Sequence, residues 1–138
     1  MTLKLTKDVL AGAPESYPGG EHDTDVKLVS CILREELQDE VLEAIAALDV
    51  VGGITLTGVQ GYDPRSKELG QHRGITYPLK IYSRVRLDVA VPTEKVNEVI
   101  RTIRNVARTG KTGDGKIFVT DVYHIERIRT GEVNLSAI

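Results

Sequence analysis

From residue 26 onward the hydrophobic period of the chain changes repeatedly, and each change marks an element. Val26-Lys27-Leu28-Val29-Ser30-Cys31-Ile32-Leu33 is a short apolar run rich in β-formers, the pattern of a central strand. Leu37, Val41, Ala44, Ile45 and Leu48 then recur at helical spacing, with Glu35 and Glu36 at the end where the helix dipole favours negative charge, and Gly52-Gly53 are expected to stop that helix. Residues 54–61 alternate into a second strand. From Tyr62 to Tyr82 the chain is rich in charge, Gly and Pro with little periodicity, which predicts a long loop. Val85, Leu87, Val89 and Val91 fall on one face of a third strand. Pro92-Thr93 ends it, and Thr93 is placed to cap a helix whose stripe is Val96, Val99, Ile100, Ile103, Val106 and Ala107. Glu94, Lys95, Glu98, Arg101 and Arg104 read as its solvated face. The last strand is Lys116 to Tyr123.

The order β-α-β-β-α-β is that of the α+β ferredoxin-like sandwich, an antiparallel sheet with both helices on one face. A connection of about twenty residues between strands two and three is long beside an ordinary hairpin, and loops of that kind inside compact domains tend to be functional. The face of the sheet without helices needs a cover, which oligomerisation would supply.

Composition narrows the class. The 138 residues, 41% hydrophobic and 28% charged, suffice for one domain with its own core. Residues 1–24 stand apart: Gly, Pro and Ser crowd positions 11–20, so a flexible N-terminal extension is expected there, with at most a turn of helix over Lys7 to Leu10, and the domain over residues 25–138. Eighteen basic against twenty acidic residues give a net charge of −2, which argues against a nucleic-acid binder. The charge is uneven, however. Residues 101–138 hold seven Lys/Arg and four Asp/Glu, +3 locally, so anion affinity there is compatible with the negative whole. A single cysteine, Cys31, in an apolar strand reads as a core residue in a reducing compartment. No apolar run reaches the ~18 residues of a membrane span, and no secretory leader is evident, so a cytoplasmic location is expected and membrane embedding is not.

Candidate chemistry concentrates near the C-terminus. In Thr109-Gly110-Lys111-Thr112-Gly113-Asp114-Gly115-Lys116 three glycines allow a tight concavity of N–H groups that suits an anion, and a strand follows to anchor it. Lys111, Lys116, Arg127 and Arg129 can bring cationic heads to the same neighbourhood, and Asp114 offers a polar contact for a turn or a sugar. Phosphate is the natural guest. A plain turn with solvated lysines is the simpler reading of so short a motif, and it is neither a Walker A loop nor a GxGxxG opening of a helix. His22, His72 and His124 lack metal-ligand spacing, so no metal site is expected. No acid–base pair or nucleophile–histidine arrangement can be assembled, so an enzyme is not expected.

Taken together, the run from Thr109 to Val119, the segment Arg127-Ile128-Arg129-Thr130-Gly131-Glu132 and the ending Ala137-Ile138 resemble the C-terminal signature of the P-II nitrogen regulatory proteins, a likeness that extends over about residues 25–138. The resemblance implies a homotrimeric sensor of ATP, ADP and AMP, with magnesium able to accompany ATP, and a regulatory T-loop over about residues 62–83. It assigns Gly113, Asp114, Gly115 and Lys116 to the nucleotide loop, and Arg127 and Arg129 to phosphate contacts from the adjacent chain. Thr55 and Asp88 fall in the adenine region, and Gly61 at the base of the T-loop. Tyr77 falls near the tyrosine that some members modify and is equally placed for partner contact. The loop base departs from the family pattern Gly-Phe-Gly-Arg-Gln, reading Gly61-Tyr62-Asp63-Pro64-Arg65, and Arg84 replaces the lysine that grips the oxo-acid. Arg65 cannot ligate a cation but can meet a carboxylate or bicarbonate. With Asp63, Arg65 and Arg84 at the loop base, 2-oxoglutarate sensing is expected to be weak or lost. The signal would then be another small anion, such as bicarbonate, or the nucleotide balance alone, passed to a transporter or metabolic enzyme. The alternatives are a bicarbonate-responsive regulator of carbon uptake, a small ferredoxin-like enzyme, and a structural oligomer without ligand.

Overall fold

The computed structural model describes residues 24–65, 70–72, 75–77 and 80–138. Its elements are β1 (Val26–Arg34), α1 (Gln38–Ala46), β2 (Ile54–Gly61), β3 (Gly70–His72), β4 (Ile75–Tyr77), β5 (Tyr82–Pro92), α2 (Val96–Ala107) and β6 (Lys116–Asp121). The four long strands form one sheet in the order β2-β5-β1-β6, and every neighbouring pair is antiparallel. This is the ferredoxin-like βαββαβ sandwich.

Strand alternation explains where the core lies. Val29, Cys31 and Leu33 of β1 and Leu87, Val89 and Val91 of β5 project to the helix side, where they meet Val41 and Ile45 of α1 and Val99, Ile103 and Ala107 of α2. Ten of the largest buried side chains are essentially without solvent contact, all of them Leu, Ile or Val. Cys31 is buried among them, and desolvation pushes its thiol up to about 11, so it stays protonated at neutral pH.

Four local readings need correction. The first helix ends at Ala46, not at Gly52-Gly53: Asp49 takes the left-handed conformation, φ 52°, three residues before the first glycine. Thr93 makes no side-chain cap; it opens a 3-10 turn, Thr93–Lys95, that leads into α2. The last strand stops at Asp121. Finally, the connection between β2 and β5 is not wholly irregular, since β3 and β4 pair as a small antiparallel ladder with His72 opposite Ile75. Strands of three residues are too short to show a period of two, which is why the pattern hid them. Of the expected extension over residues 1–24, residues 1–23, His22 among them, lie outside the described residues, as do the side chains of Tyr77 and His72; Thr24, its last residue, is buried, and its hydroxyl donates to the Val122 carbonyl.

The other face of the sheet positions the site. Register sets Val59, Arg84 and Arg34 in one row across β2, β5 and β1, and Thr57, Arg86, Ile32 and Lys116 in the next. A third row is Thr55, Asp88, Ser30 and Phe118. Four cationic residues therefore share one face at one end of the sheet, the end from which the 62–81 connection leaves.

Candidate functional site

The loop between α2 and β6 is built around one carboxylate. Asp114 Oδ2 accepts hydrogen bonds from the N–H groups of Thr109 and Gly110, both at 2.9 Å, and Asp114 Oδ1 accepts one from the Thr109 hydroxyl. The Arg34 guanidinium reaches the same loop from the end of β1: its Nε donates to Asp114 Oδ1 at 3.2 Å and its Nη2 to the Thr112 carbonyl at 3.0 Å. The Thr109 hydroxyl, the two N–H groups and the guanidinium hold the Asp114 carboxyl well below the ordinary carboxylate range. Of the two roles open to Asp114, turn or sugar contact, the carboxylate takes the turn.

Glycine is required here by geometry. Gly115 has φ 103°, and a Cβ on it would lie 1.7 Å from the Ile32 carbonyl oxygen, because the loop closes directly onto β1. Gly113, at φ 98°, sits against two arginines, with a Cβ position 3.0 Å from Arg84 Nη2 and 3.4 Å from Arg34 Nη2. Arg84 Nε donates to the Gly113 carbonyl at 3.3 Å, and its guanidinium lies 4.9 Å from the centroid of Tyr82, as does the Lys80 ammonium.

Between this loop and the ends of β2 and β5 lies a cleft of about 500 Å³, within the range of small-molecule sites. The N-terminal arm of the long connection lines it through Gly61, Tyr62, Asp63, Pro64 and Arg65. Gly113, Gly115 and Lys116 of the loop line it as well, and Arg84 and Phe118 also contribute. Asp63 Oδ1 accepts from Arg65 N at 2.9 Å and lies 3.6 Å from Arg65 Nε, so the one carboxylate in the lining already faces its neighbouring arginine. Among the described residues no cluster of His, Cys, Asp and Glu could hold a metal ion.

The other predicted residues lie apart from this cleft in the single chain. Thr55 and Asp88 face each other across β2 and β5, and Asp88 is paired with Arg86 at 3.2 Å. Arg127 and Arg129 sit on a tight turn in which Gly131 N–H bonds to the Arg127 carbonyl at 2.8 Å. The Arg127 guanidinium is turned toward Glu132 Oε1 at 3.1 Å and Ile138 O at 2.8 Å, while Arg129 and Lys111 are exposed. The neighbourhood of four cations expected from Lys111, Lys116, Arg127 and Arg129 is thus not formed within one chain; only Lys116 reaches the cleft. Arg34, Tyr82 and Phe118 were not singled out from the sequence. The signal for Arg34 was its position: counting alternately from Ser30 and Ile32 puts it on the sheet face opposite the core, beside Arg84.

Residues 26–132 match the family model described as nitrogen regulatory protein P-II. The nitrogen regulatory protein GlnK of Escherichia coli K12 is 35% identical over 113 residues, which is 82% of this chain and all of that protein. The nitrogen regulatory protein P-II of Rhizobium meliloti is 38% identical over the same share of both chains. Among solved structures, Arabidopsis thaliana PII bound to citrate superposes with a TM-score of 0.67 at 31% identity, covering 82% of this chain and 92% of its own. A B. subtilis GlnK–ATP complex superposes with a TM-score of 0.68 at 24% identity, covering 86% of this chain and all of its own.

Proposed function

The chain belongs to the nitrogen regulatory protein P-II family of signal-transduction proteins, and on that premise we propose that it binds adenine nucleotides at the 109–116 loop and signals their identity through the connection between β2 and β5. One observation carries the reading: the glycine-rich loop and the base of that connection line a single cleft. A phosphate held against Gly113, Gly115 and Lys116 stands next to Asp63, Arg65 and Arg84, so exchanging ATP for ADP changes the contacts open to the loop base. Differential contact of this kind is what shifts a loop between conformers.

The second ligand is a small anion held by guanidinium groups. Arg84 and Arg65 face the cleft, and Asp63 is engaged with Arg65, so the loop base favours direct charge-assisted contact over a bridging cation. The citrate of the Arabidopsis structure is a carboxylate ligand of a relative 31% identical. Arg127 and Arg129 would come to the phosphates from an adjacent copy in a homotrimer. The output is control of a transporter or metabolic enzyme, and the nucleotide is a signal, not a substrate.

Calorimetric titration with ATP, ADP and AMP tests this, each repeated with magnesium plus 2-oxoglutarate and with bicarbonate. ATP or ADP binding is expected, with little gain from 2-oxoglutarate. Tight ATP binding strongly enhanced by 2-oxoglutarate and magnesium would overturn the anion reading, absence of nucleotide binding would overturn the whole, and rapid hydrolysis would make the chain an enzyme. Lys116→Ala and Arg129→Ala should each weaken ATP by about 1.5–3 kcal/mol if they meet phosphate charge; wild-type affinity in both would move the site elsewhere.

A further inference from the structure

We propose that Arg34 is the positioning residue of the nucleotide loop: it fixes the 109–115 segment against the sheet so that Gly113, Gly115 and Lys116 hold their places in the cleft. The inference rests on the nucleotide reading of that cleft. Its basis is the sheet register. Arg34 and Arg84 are direct cross-strand partners on the same face, an arrangement of like charges that a sheet ordinarily disfavours. The loop supplies what the pair lacks, acceptors on three consecutive residues: the Thr112 carbonyl for Arg34, the Gly113 carbonyl for Arg84 and the Asp114 carboxylate for Arg34. Gly113 lies against both guanidiniums.

The two arginines are not equivalent. The side chain of Arg34 is 17% exposed and is tied to the loop twice, once in an ion pair with the Asp114 carboxylate. Arg84 is tied once, at 3.3 Å, and lines the cleft. Arg34 is absent from the cleft lining and would touch no ligand there; it acts through Asp114, whose carboxylate in turn orders Thr109 and Gly110. A loop held by Arg34 keeps its shape when Arg84 leaves the Gly113 carbonyl for an anion, so the phosphate wall remains formed while the loop base changes.

The test compares wild type, Arg34→Met, Arg34→Lys and Asp114→Asn by ATP calorimetry, thermal melting and amide hydrogen exchange. Arg34→Met keeps the apolar stem and removes the guanidinium. It is expected to lower ATP affinity about tenfold, to speed exchange at Thr109 and Gly110, and to leave the melting midpoint within a few degrees of wild type. Arg34→Lys, which keeps the charge, should recover part of the affinity. Arg34→Met combined with Asp114→Asn should cost less than the sum of the two, since both break one contact. Wild-type affinity in Arg34→Met overturns the proposal, as does a loss of affinity that tracks a general loss of fold or is identical in Met and Lys variants. Failure of wild type itself to bind ATP would instead remove the nucleotide reading, and the proposal with it.

Discussion

At the scale of single residues the loop stands on two residues that cannot be exchanged, Gly115 and Asp114. Gly115→Ala would drive a methyl carbon to within bonding distance of the Ile32 carbonyl at a φ that L-residues avoid, and the variant should lose more than about 2 kcal/mol of stability or displace the loop. Gly110→Ala is the control: its φ is also positive, at 83°, but a Cβ there meets nothing within 4 Å, so only the backbone penalty of about 1 kcal/mol remains. Chemical denaturation of both separates overlap from conformation, and equal losses would show that Gly115 is not packed on β1. The Asp114 carboxylate is the second fixed point. Its native pKa lies below the unfolded value, so between the two the unfolded chain binds more protons and stability rises with pH. Its contribution is therefore complete above the ordinary carboxylate value of about 3.9, declines as pH falls below it, and is gone once pH has passed through the depressed native value. The amide resonances of Thr109 and Gly110 should stay unchanged on titration from pH 7 to about 4 and move only below it. A midpoint near the ordinary value would mean that the clamp is not closed in solution.

Elements divide into those whose period announced them and those set by contacts distant in sequence. β1 was legible as a short apolar run rich in β-formers, and β5 and α2 because Val85 to Val91, and Val99, Ile103 and Ala107, repeat at the period their element needs; these residues are buried. The end of α1 was misread because an Asp in the left-handed region did what glycine usually does. The β3–β4 ladder was invisible because three residues do not make a pattern. The candidate site was legible in a different way. Gly113, Gly115 and Lys116 were found by motif and resemblance, and they do share a cleft with Asp63, Arg65 and Arg84. Arg34 was not found, since nothing local marks it. Its meaning depends on pairing with Arg84, fifty residues on, and on a loop eighty residues on, both fixed by strand register. Register is a property of the folded sheet, and a motif search that reads neighbours in sequence does not contain it.

For the whole molecule, the question is what covers the apolar groups the single chain leaves outside. Ile128 is fully exposed at the tip of the arginine turn, and Phe118, Val119, Val133 and Leu135 are between 42% and 50% exposed. Two charged residues flank Ile128, so the turn offers an apolar contact with Arg127 and Arg129 on either side. In one chain this turn is not part of the cleft wall. If the site is shared, a copy of the chain brings the turn to its neighbour's cleft, and the particle in solution should have about three times the 15.1 kDa mass of the chain. Mass alone does not show that the copies share a site, but complementation does. Lys116→Ala chains lack the loop contribution and Arg129→Ala chains lack the contribution of the turn, so homogeneous assemblies of either should bind ATP poorly. When the two are unfolded together and refolded in equal amounts, about one cleft in four receives an intact Lys116 from one chain and an intact Arg129 from the next. Those clefts should regain wild-type affinity, seen in a titration as a small tight class beside a weak remainder. If both residues served a cleft from the same chain, mixing would restore nothing, and the tight class would be absent however the chains were combined.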